Sequence, residues 1–266
     1  MVASKGFSCL FLQLLLLSFV FDVANSQGLK VGFYRKTCPN AEAIVEKVVD
    51  QAISVAPSLS GPLLRMHFHD CFVRLKRCIS NLSLRGYQVI DRVKSALEKA
   101  CPGVVSCSDI LALVARDVVV AMKGPSWKVE TGRRDGRVSN ITEALTNLIP
   151  PTANITQLKS GFQQKGLSVK DLVVLSGGHT LGTSHCSSFS SRLYNFSGKG
   201  DTDPDLDPNY IAKLKTNANK AYVKLQATTH GSTFFKDFGV SMINMGRIGV
   251  LTGTSGEIRK ECALVN

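Results

Sequence analysis

The sequence predicts a mostly α-helical protein, built as one large domain or as two small lobes around a shared core. Apolar residues recur with the period of a helix, and cap and turn residues divide the chain into helix-sized segments. No internal repeat, low-complexity block or long linker interrupts the 266 residues. A chain of this length and apolar content can bury a continuous core.

The predicted helices follow one another along the chain. The first begins at Asn40, a favoured cap residue, and its apolar stripe must face a core. Pro62 stands near the start of the second helix, where its missing N–H costs little. The predicted helices are 40–55, 58–73, 86–101, 106–122, 154–167, 169–182, 184–196 and 231–249, and 124–139 is irregular or shortly extended.

Residues 1–26 are predicted to be a signal peptide, which leaves residues 27–266 as the folded domain. Lys5 precedes an apolar run that is short for a membrane span, and Ala24 and Ser26 have the spacing typical of signal-peptidase cleavage. We therefore expect a secreted, soluble protein that does not enter a membrane. Four Asn-x-Ser/Thr sequons agree with secretion and lie at Asn81, Asn140, Asn154 and Asn195.

The net charge of +12 indicates an anionic partner outside the cell. A nucleic-acid-binding protein would collect its cations in one stripe with interleaved aromatic residues, whereas here the 32 Lys and Arg are scattered. We therefore expect no nucleic-acid partner and favour an acidic extracellular polymer.

Arg65 and His69 form the first candidate catalytic pair. Helical residues four apart share a face, and Phe68 would wall the same space. A neutral imidazole beside a fixed cation has its pKa lowered, so His69 could take a proton from a small acid while Arg65 stabilises the anion. The alternative is a core histidine beside an exposed arginine. A metal site in the segment HFHD is disfavoured, because histidines two apart on a helix point apart.

His179 is the second candidate, in the segment LSGGHTLG. Alone, a histidine after two glycines is more often a packing or capping residue than a ligand. Together with a base and an arginine, it completes the set that a haem peroxidase pocket requires, with one imidazole on the iron and the base and cation above the open face.

Six segments, in order, resemble the secreted class III plant haem peroxidases, and they cover most of the chain after residue 26. They are RMHFHDCFV, PGVVSCSDILALVARD, GPSWKVETGRRDG, DLVVLSGGHTLG, SSRLYNFSGKGDTDPDLDPNY and GVLTGTSGEIRKEC. The resemblance implies the all-α haem peroxidase fold, with two helical lobes around haem b (iron protoporphyrin IX). It also implies a monomer that reduces hydrogen peroxide and oxidises phenolic small molecules, in the extracellular space and cell wall or in the vacuole.

The resemblance also assigns individual roles. Arg65 corresponds to the arginine that stabilises the transition state, Phe68 to the distal aromatic, His69 to the acid–base histidine and His179 to the iron ligand. The remaining matches are Asp70 and Val73 for a distal calcium ion, Thr180 for a proximal calcium ion, Ile149 for a backbone carbonyl at the substrate entrance, and the disulfides Cys38 to Cys101, Cys107 to Cys262 and Cys71 to Cys78. His67, His185 and His230 are expected to be structural.

The chain departs from the family by two missing blocks. After Cys71 the sequence RLKRCIS runs directly into NLSLRGYQVID, so Arg77 and Ile79 or near neighbours stand where calcium ligands are expected. The asparagine that supports the distal imidazole is missing too. After Thr216 the family has further residues, among them the rest of the proximal calcium site, the aspartate bonded to the ligand histidine and the cysteine expected to pair with Cys186. Both calcium sites are thus expected to be incomplete.

Two readings of these gaps remain open. In one, the chain is an active peroxidase. In the other, it is a catalytically dead or aberrantly spliced secreted relative, whose basic and glycosylated surface binds cell-wall polysaccharide. Ile149, where the family usually carries a proline, is a mild departure because any residue supplies a carbonyl.

Overall fold

The computed structural model of the protein describes residues 28–73, 84–137, 146–216 and 231–266. The predicted signal peptide lies outside them, as do Arg77, Cys78, Ile79, Asn81, Asn140 and His230. The helices are α1 (Ala41–Val55), α2 (Ser60–Val73), α3 (Tyr87–Ala100), α4 (Cys107–Ala121), α5 (Ile155–Gln164), α6 (Val169–Ser176), α7 (Ser190–Tyr194), α8 (Pro208–Thr216) and α9 (Gly231–Gly246). The described chain is therefore mostly helical, as predicted, and none of these helices has the length and apolarity needed to cross a bilayer.

Helix α4 is the centre of the hydrophobic core. The Ser106 side chain caps its start by accepting a hydrogen bond from the backbone N–H of Asp109, and nearly all of its residues are buried. Helices α1 and α2 pack against α4, and α3 packs against α1 and α4. The stripe predicted on α1 faces this core, with Val45 and Val49 fully buried.

Two disulfides close the first group of helices. Cys38, just before α1, is bonded to Cys101 at the end of α3, and Cys107 at the start of α4 is bonded to Cys262. Both pairs were predicted from the resemblance and are confirmed. They tie α1 to α3 and the C-terminal segment to the central helix, which restricts the unfolded chain more than the folded one.

A second group of helices consists of α5, α6 and α9. Asn154 and Ser168 cap the starts of α5 and α6 with capping boxes. In each box the side chain of the cap residue accepts a hydrogen bond from the backbone N–H three residues later, and the side chain of that later residue accepts one from the backbone N–H of the cap residue. Helix α6 packs against α5 and α9, and α9 also contacts α2. This contact holds the segment after α6 beside α2, where the candidate catalytic pair lies.

The segment after α4 is shortly extended, as predicted. Strand β1 (Lys30–Val31) pairs antiparallel with strand β2 (Glu130–Thr131). A buried ion pair fixes the following turn, because Arg133 Nη1 lies 2.9 Å from Asp109 Oδ1. The fully buried carboxylate of Asp109 also accepts hydrogen bonds from the Tyr34 hydroxyl and the Gly132 N–H.

Two predicted helices differ most from the structure. The helix predicted at 169–182 ends at Ser176 and continues as the 3₁₀ turn Gly177–Thr180. Two consecutive glycines lose much backbone entropy in a helix, which favours a stop at this point. The segment predicted as a helix at 184–196 divides into the 3₁₀ turn Cys186–Ser188 and the short helix α7.

Candidate active site

Helix α2 places Arg65 and His69 in direct contact. The Arg65 Nε–H donates a hydrogen bond to His69 Nε2, with 3.0 Å between the nitrogens. Since Nε2 accepts, the neutral ring of His69 carries its proton on Nδ1 and its lone pair on Nε2. His69 is buried and Arg65 is exposed. The pair therefore presents a base and a cation side by side at the edge of the core.

The guanidinium of Arg65 is partly desolvated. Burial lowers its pKa, and the phenol of Tyr87 on α3 acts in the opposite direction. An arginine remains a cation throughout the working pH range of a protein even after such a shift. Arg65 can therefore stabilise a developing negative charge at any pH at which the fold is intact.

Phe68 forms a wall beside the pair, as the sequence predicts. Its ring meets His69 edge-on with 5.7 Å between the ring centroids, and it lies 4.3 Å from the ring of Phe72. Phe72 in turn contacts Phe162 on α5. This aromatic row holds the His69 ring in position through packing.

His67 faces away from the pair. It is fully within the core, where burial and then the charge of Arg133 lower its pKa to about 3. Its ring lies 3.7 Å from the sulfur of Cys71, one turn later. His67 and His69 therefore point in different directions, as the spacing predicts, and His67 is a neutral structural residue.

The predicted disulfide between Cys71 and Cys78 is not formed. Cys71 is a buried free thiol, and Cys78 lies outside the described residues. Burial raises the pKa of the Cys71 thiol, and the nearby carboxylate of Asp70 adds to this effect. The thiol points into the core beside His67 because α2 continues as a helix to Val73, which directs residue 71 inward.

His179 lies on the 3₁₀ turn that follows α6, with its side chain exposed. Its Nδ1 is 3.0 Å from the carbonyl oxygen of Ser176. The ring stands at the edge of a mainly apolar cavity of about 370 Å³. Its lining is His179, Leu181, Gly182, Thr183, Ser184, Phe189, Arg192, Leu193, Leu206, Tyr210 and Leu214.

The turn that carries His179 touches α2 directly. A Cβ atom on Gly61 would lie 2.6 Å from the Cα of Gly182, whose φ of +97° also requires glycine. Next to this contact, Gly178 faces the side chain of Leu64, the neighbour of Arg65. The structure thus brings together the two elements that carry the candidate imidazoles. Within the described chain, however, Arg65, Phe68 and His69 do not line the cavity at His179.

The residues predicted to bind two calcium ions lie on α2 and on the turn that carries His179. Asp70 lines a small separate cavity of about 40 Å³ together with Arg133 and Arg134. Val73 is the last residue of α2, and Thr180 ends the 3₁₀ turn on the His179 side. Among the described residues, no three His, Cys, Asp or Glu side chains are placed to hold a metal ion.

Ile149 lies close to the distal aromatic row. Its side chain packs against Gly161 on α5, where a Cβ would come within 2.6 Å of the Ile149 Cδ1. The Lys165 ammonium bonds both the Phe72 carbonyl oxygen and the Asn147 side chain, which ties this segment to α2. Ile149, which is predicted to lie at a substrate entrance, is thus close to the end of α2.

Two features of the site were not predicted. The contact between His179 and the Ser176 carbonyl depends on how the helix ends, and the two glycines before His179 were the only sequence signal for it. The Tyr210 hydroxyl, buried in the wall of the larger cavity, has no hydrogen-bond partner. Nothing in the sequence around Tyr210 indicates this position.

Comparisons with a family profile and with individual proteins all match this chain to peroxidases. The family profile described as Peroxidase matches residues 43–245. The chain is 52% identical to Peroxidase 27 of Arabidopsis thaliana, with all of both chains covered, and 51% identical to Peroxidase 56 of the same plant, over 97% of this chain and 98% of that one. It is 44% identical to Peroxidase 1 of Oryza sativa subsp. japonica, over 95% and 97% of the two chains.

The alignments also show that residues are missing from this chain. The alignment with Peroxidase 27 is 328 positions long and covers both proteins completely, which is 62 positions more than the 266 residues present here. At least 62 positions of that alignment are therefore gaps in this chain. This total supports the missing blocks that the resemblance indicated, although it does not locate them.

Proposed function

The chain belongs to the peroxidase family, among the plant class III enzymes, and we propose that it reduces hydrogen peroxide with haem b and oxidises phenolic donors. The observation that carries this proposal is the contact between Arg65 and His69, which pairs a base with a fixed cation on one helix face. The alternative of an inactive, polysaccharide-binding relative has no comparable feature in its favour.

The residues present fit a haem group. The Nδ1 of His179 is hydrogen-bonded to a carbonyl oxygen, so its Nε2 has a free lone pair for an iron ion. Four leucines and Phe189 are among the residues that line the adjoining cavity, and these apolar side chains suit an apolar macrocycle. His179 would therefore hold haem through its iron. Arg65 and His69 lie outside this cavity, on the helix that the His179 turn touches, and would act on the reacting peroxide.

Arg65 and His69 divide the work on hydrogen peroxide. When bound, haem would supply redox chemistry at its iron, which would pass the oxidising power of one peroxide to two phenol molecules. His69 Nε2, which has the lone pair, takes the proton from one peroxide oxygen and delivers it to the other, which leaves as water. Arg65 stabilises the negative charge that develops as the O–O bond breaks. Phe68 limits the space above the pair to small molecules.

Arg65 must release Nε2 before His69 can act as a base. In the structure the lone pair of His69 is occupied by the Arg65 N–H. Peroxide would replace this contact with its own O–H, and the freed guanidinium is then within reach of the departing oxygen. One side chain thus holds the base in its neutral form and later stabilises the product of proton transfer.

Among the described residues, the surroundings of Asp70 do not fit the distal calcium ion that the resemblance implies. Calcium requires six to eight oxygen ligands, and the Asp70 carboxylate lies beside a cavity lined by Arg133 and Arg134. We derive no step of the reaction from calcium.

The predicted signal peptide and the net charge support an extracellular location for the enzyme. A signal peptide at residues 1–26 would direct the chain out of the cell. We expect the secreted enzyme to be a monomer. Its net charge of +12 would favour contact with anionic wall polymers. The sequon residues Asn154 and Asn195 are exposed, so both could carry glycans.

The proposal is tested by oxidation of a simple phenol with hydrogen peroxide, using the haem-loaded chain. The expected result is turnover that depends on both substrates and that falls by about 10²- to 10⁴-fold in His69→Leu, since general acid–base catalysis contributes about that factor. His185→Leu is the matched control, because this histidine is exposed and is not one of the residues assigned to the reaction. Equal turnover in the His69 and His185 variants would overturn the proposed role of His69.

A further inference from the structure

His179 is held by the main chain three residues earlier. Its Nδ1 lies 3.0 Å from the Ser176 carbonyl oxygen. A carbonyl oxygen can only accept a hydrogen bond, so Nδ1 carries the ring proton and donates it. The lone pair of the neutral ring is then on Nε2. The partner of one ring nitrogen thus decides which nitrogen is available to a metal.

The end of α6 makes the Ser176 carbonyl available. The capping box of Ser168 and Asp171 fixes the start of the helix, and α-helical hydrogen bonding stops at Ser176. The last carbonyl groups of a helix have no α-helical partner. The Ser176 hydroxyl does not take part, because it donates to the Leu172 carbonyl oxygen at 2.7 Å.

The same helix end acts electrostatically on the ring. Its aligned carbonyl groups amount to about half a negative charge at the C-terminal end of a helix. This partial charge acts on the Nδ1–H of His179 in the same direction as a carboxylate would, but more weakly. A carboxylate is the stronger acceptor because it bears a full charge.

We infer that the Ser176 carbonyl and the C-terminal end of α6 take the place of the proximal aspartate that, by the resemblance, is missing from this chain. Ser176 is thus a positioning residue that acts through its backbone. It fixes the His179 tautomer with Nε2 available to iron, and leaves the ring a neutral imidazole rather than one with strong imidazolate character. The role toward iron depends on the proposed function, whereas the tautomer itself does not.

The tautomer can be measured on the full chain without haem. In ¹⁵N-labelled protein at pH 8, long-range proton–nitrogen correlations should show a protonated Nδ1 and an unprotonated Nε2 for His179. His185, which is exposed, is the internal control and should show the mixture typical of free histidine, in which the proton is mostly on Nε2. A His179 pattern equal to that of His185 would overturn the inference.

A variant separates the role of the Ser176 carbonyl from that of its hydroxyl, and a second spectrum tests whether a stronger acceptor bonds His179. Ser176→Ala removes the hydroxyl and keeps the carbonyl, so the His179 pattern should be unchanged, and a lost pattern would contradict the backbone role. In the haem-loaded, reduced chain, the iron–histidine stretching band should lie in the range of neutral imidazole ligands. A band typical of imidazolate would show that a stronger acceptor than Ser176 serves His179. The expected tautomer in a chain that takes up no haem would support the Ser176 contact and contradict the proposed function.

Discussion

The Nε–H of Arg65 donates to Nε2 of His69 across one turn of α2, with 3.0 Å between the two nitrogens. This contact joins a buried ring to an exposed guanidinium and fixes which nitrogen of His69 holds the lone pair. It also means that one helical spacing brings together the cation and the base of the proposed reaction.

Replacing Arg65 should slow the reaction with peroxide without preventing haem uptake. Removing one donor that stabilises developing charge typically costs about 10²- to 10³-fold in rate. We expect a loss of that size in Arg65→Leu and a smaller one in Arg65→Lys, which keeps the charge but not the planar Nε–H. Rapid-mixing spectroscopy of the haem-loaded variants measures the rate. Identical rates for Arg65→Leu and the unaltered chain would contradict the role of the cation.

The proximity of Arg65 and His69 was predictable because residues four apart on one helix share a face. The same holds for the apolar stripe on α1, because the signal for it is local. The buried ion pair of Asp109 with Arg133 was not predicted, because it joins residues that only the folded chain brings together. The free state of Cys71 was missed for a related reason, since the prediction followed the family pattern and the continued helix directs the thiol inward.

Asp117 should make the fold less stable at neutral pH than in weak acid. Burial raises the pKa of its carboxyl to about 6, against the opposing effect of the Arg116 guanidinium. A raised acid pKa favours the folded, protonated form, so stability is full below pH 3.8 and is lost as the pH rises through 6. Asp117→Asn should therefore be more stable at pH 7, by up to about 3 kcal/mol, and equally stable at pH 3.5.

Chemical unfolding at the two pH values measures the Asp117 effect. The exposed Asp50, changed to asparagine, is the matched control and should show no difference between the two conditions. If Asp117→Asn were less stable than the unaltered chain at pH 7, the pair with Arg116 would outweigh the cost of burying the charge.

His67 should contribute to unfolding in acid. Burial and the charge of Arg133 lower its pKa to about 3, against 6.5 for the unperturbed ring. A lowered pKa favours the unfolded, protonated form, so stability is lost as the pH falls from 6.5 towards 3, by about 1.4 kcal/mol per pH unit. His67→Gln should flatten this dependence in chemical unfolding curves, whereas the exposed His185→Gln should not. Parallel acid curves for the two variants would show that His67 is protonated in the folded chain.

Removing calcium should leave the stability of the chain unchanged. Asp70 and Thr180 are the residues expected at the two sites, and no cluster of three acidic, histidine or cysteine side chains accompanies them in the described ranges. The melting temperature should be the same with and without a strong calcium chelator. A clear fall on chelation would show that carbonyl groups and water complete a site around one of these residues.

The most direct test of the whole account is a titration of the full chain with ferric protohaem, followed by absorption spectroscopy. The account predicts a Soret band that saturates at one haem per chain, that His179→Ala abolishes and that His185→Ala leaves unchanged. A pulse of hydrogen peroxide should then shift the band of the unaltered chain rapidly and that of His69→Leu slowly. Free-haem spectra throughout the titration, or equal spectra for the two alanine variants, would contradict the claim that this shortened chain builds a peroxidase site.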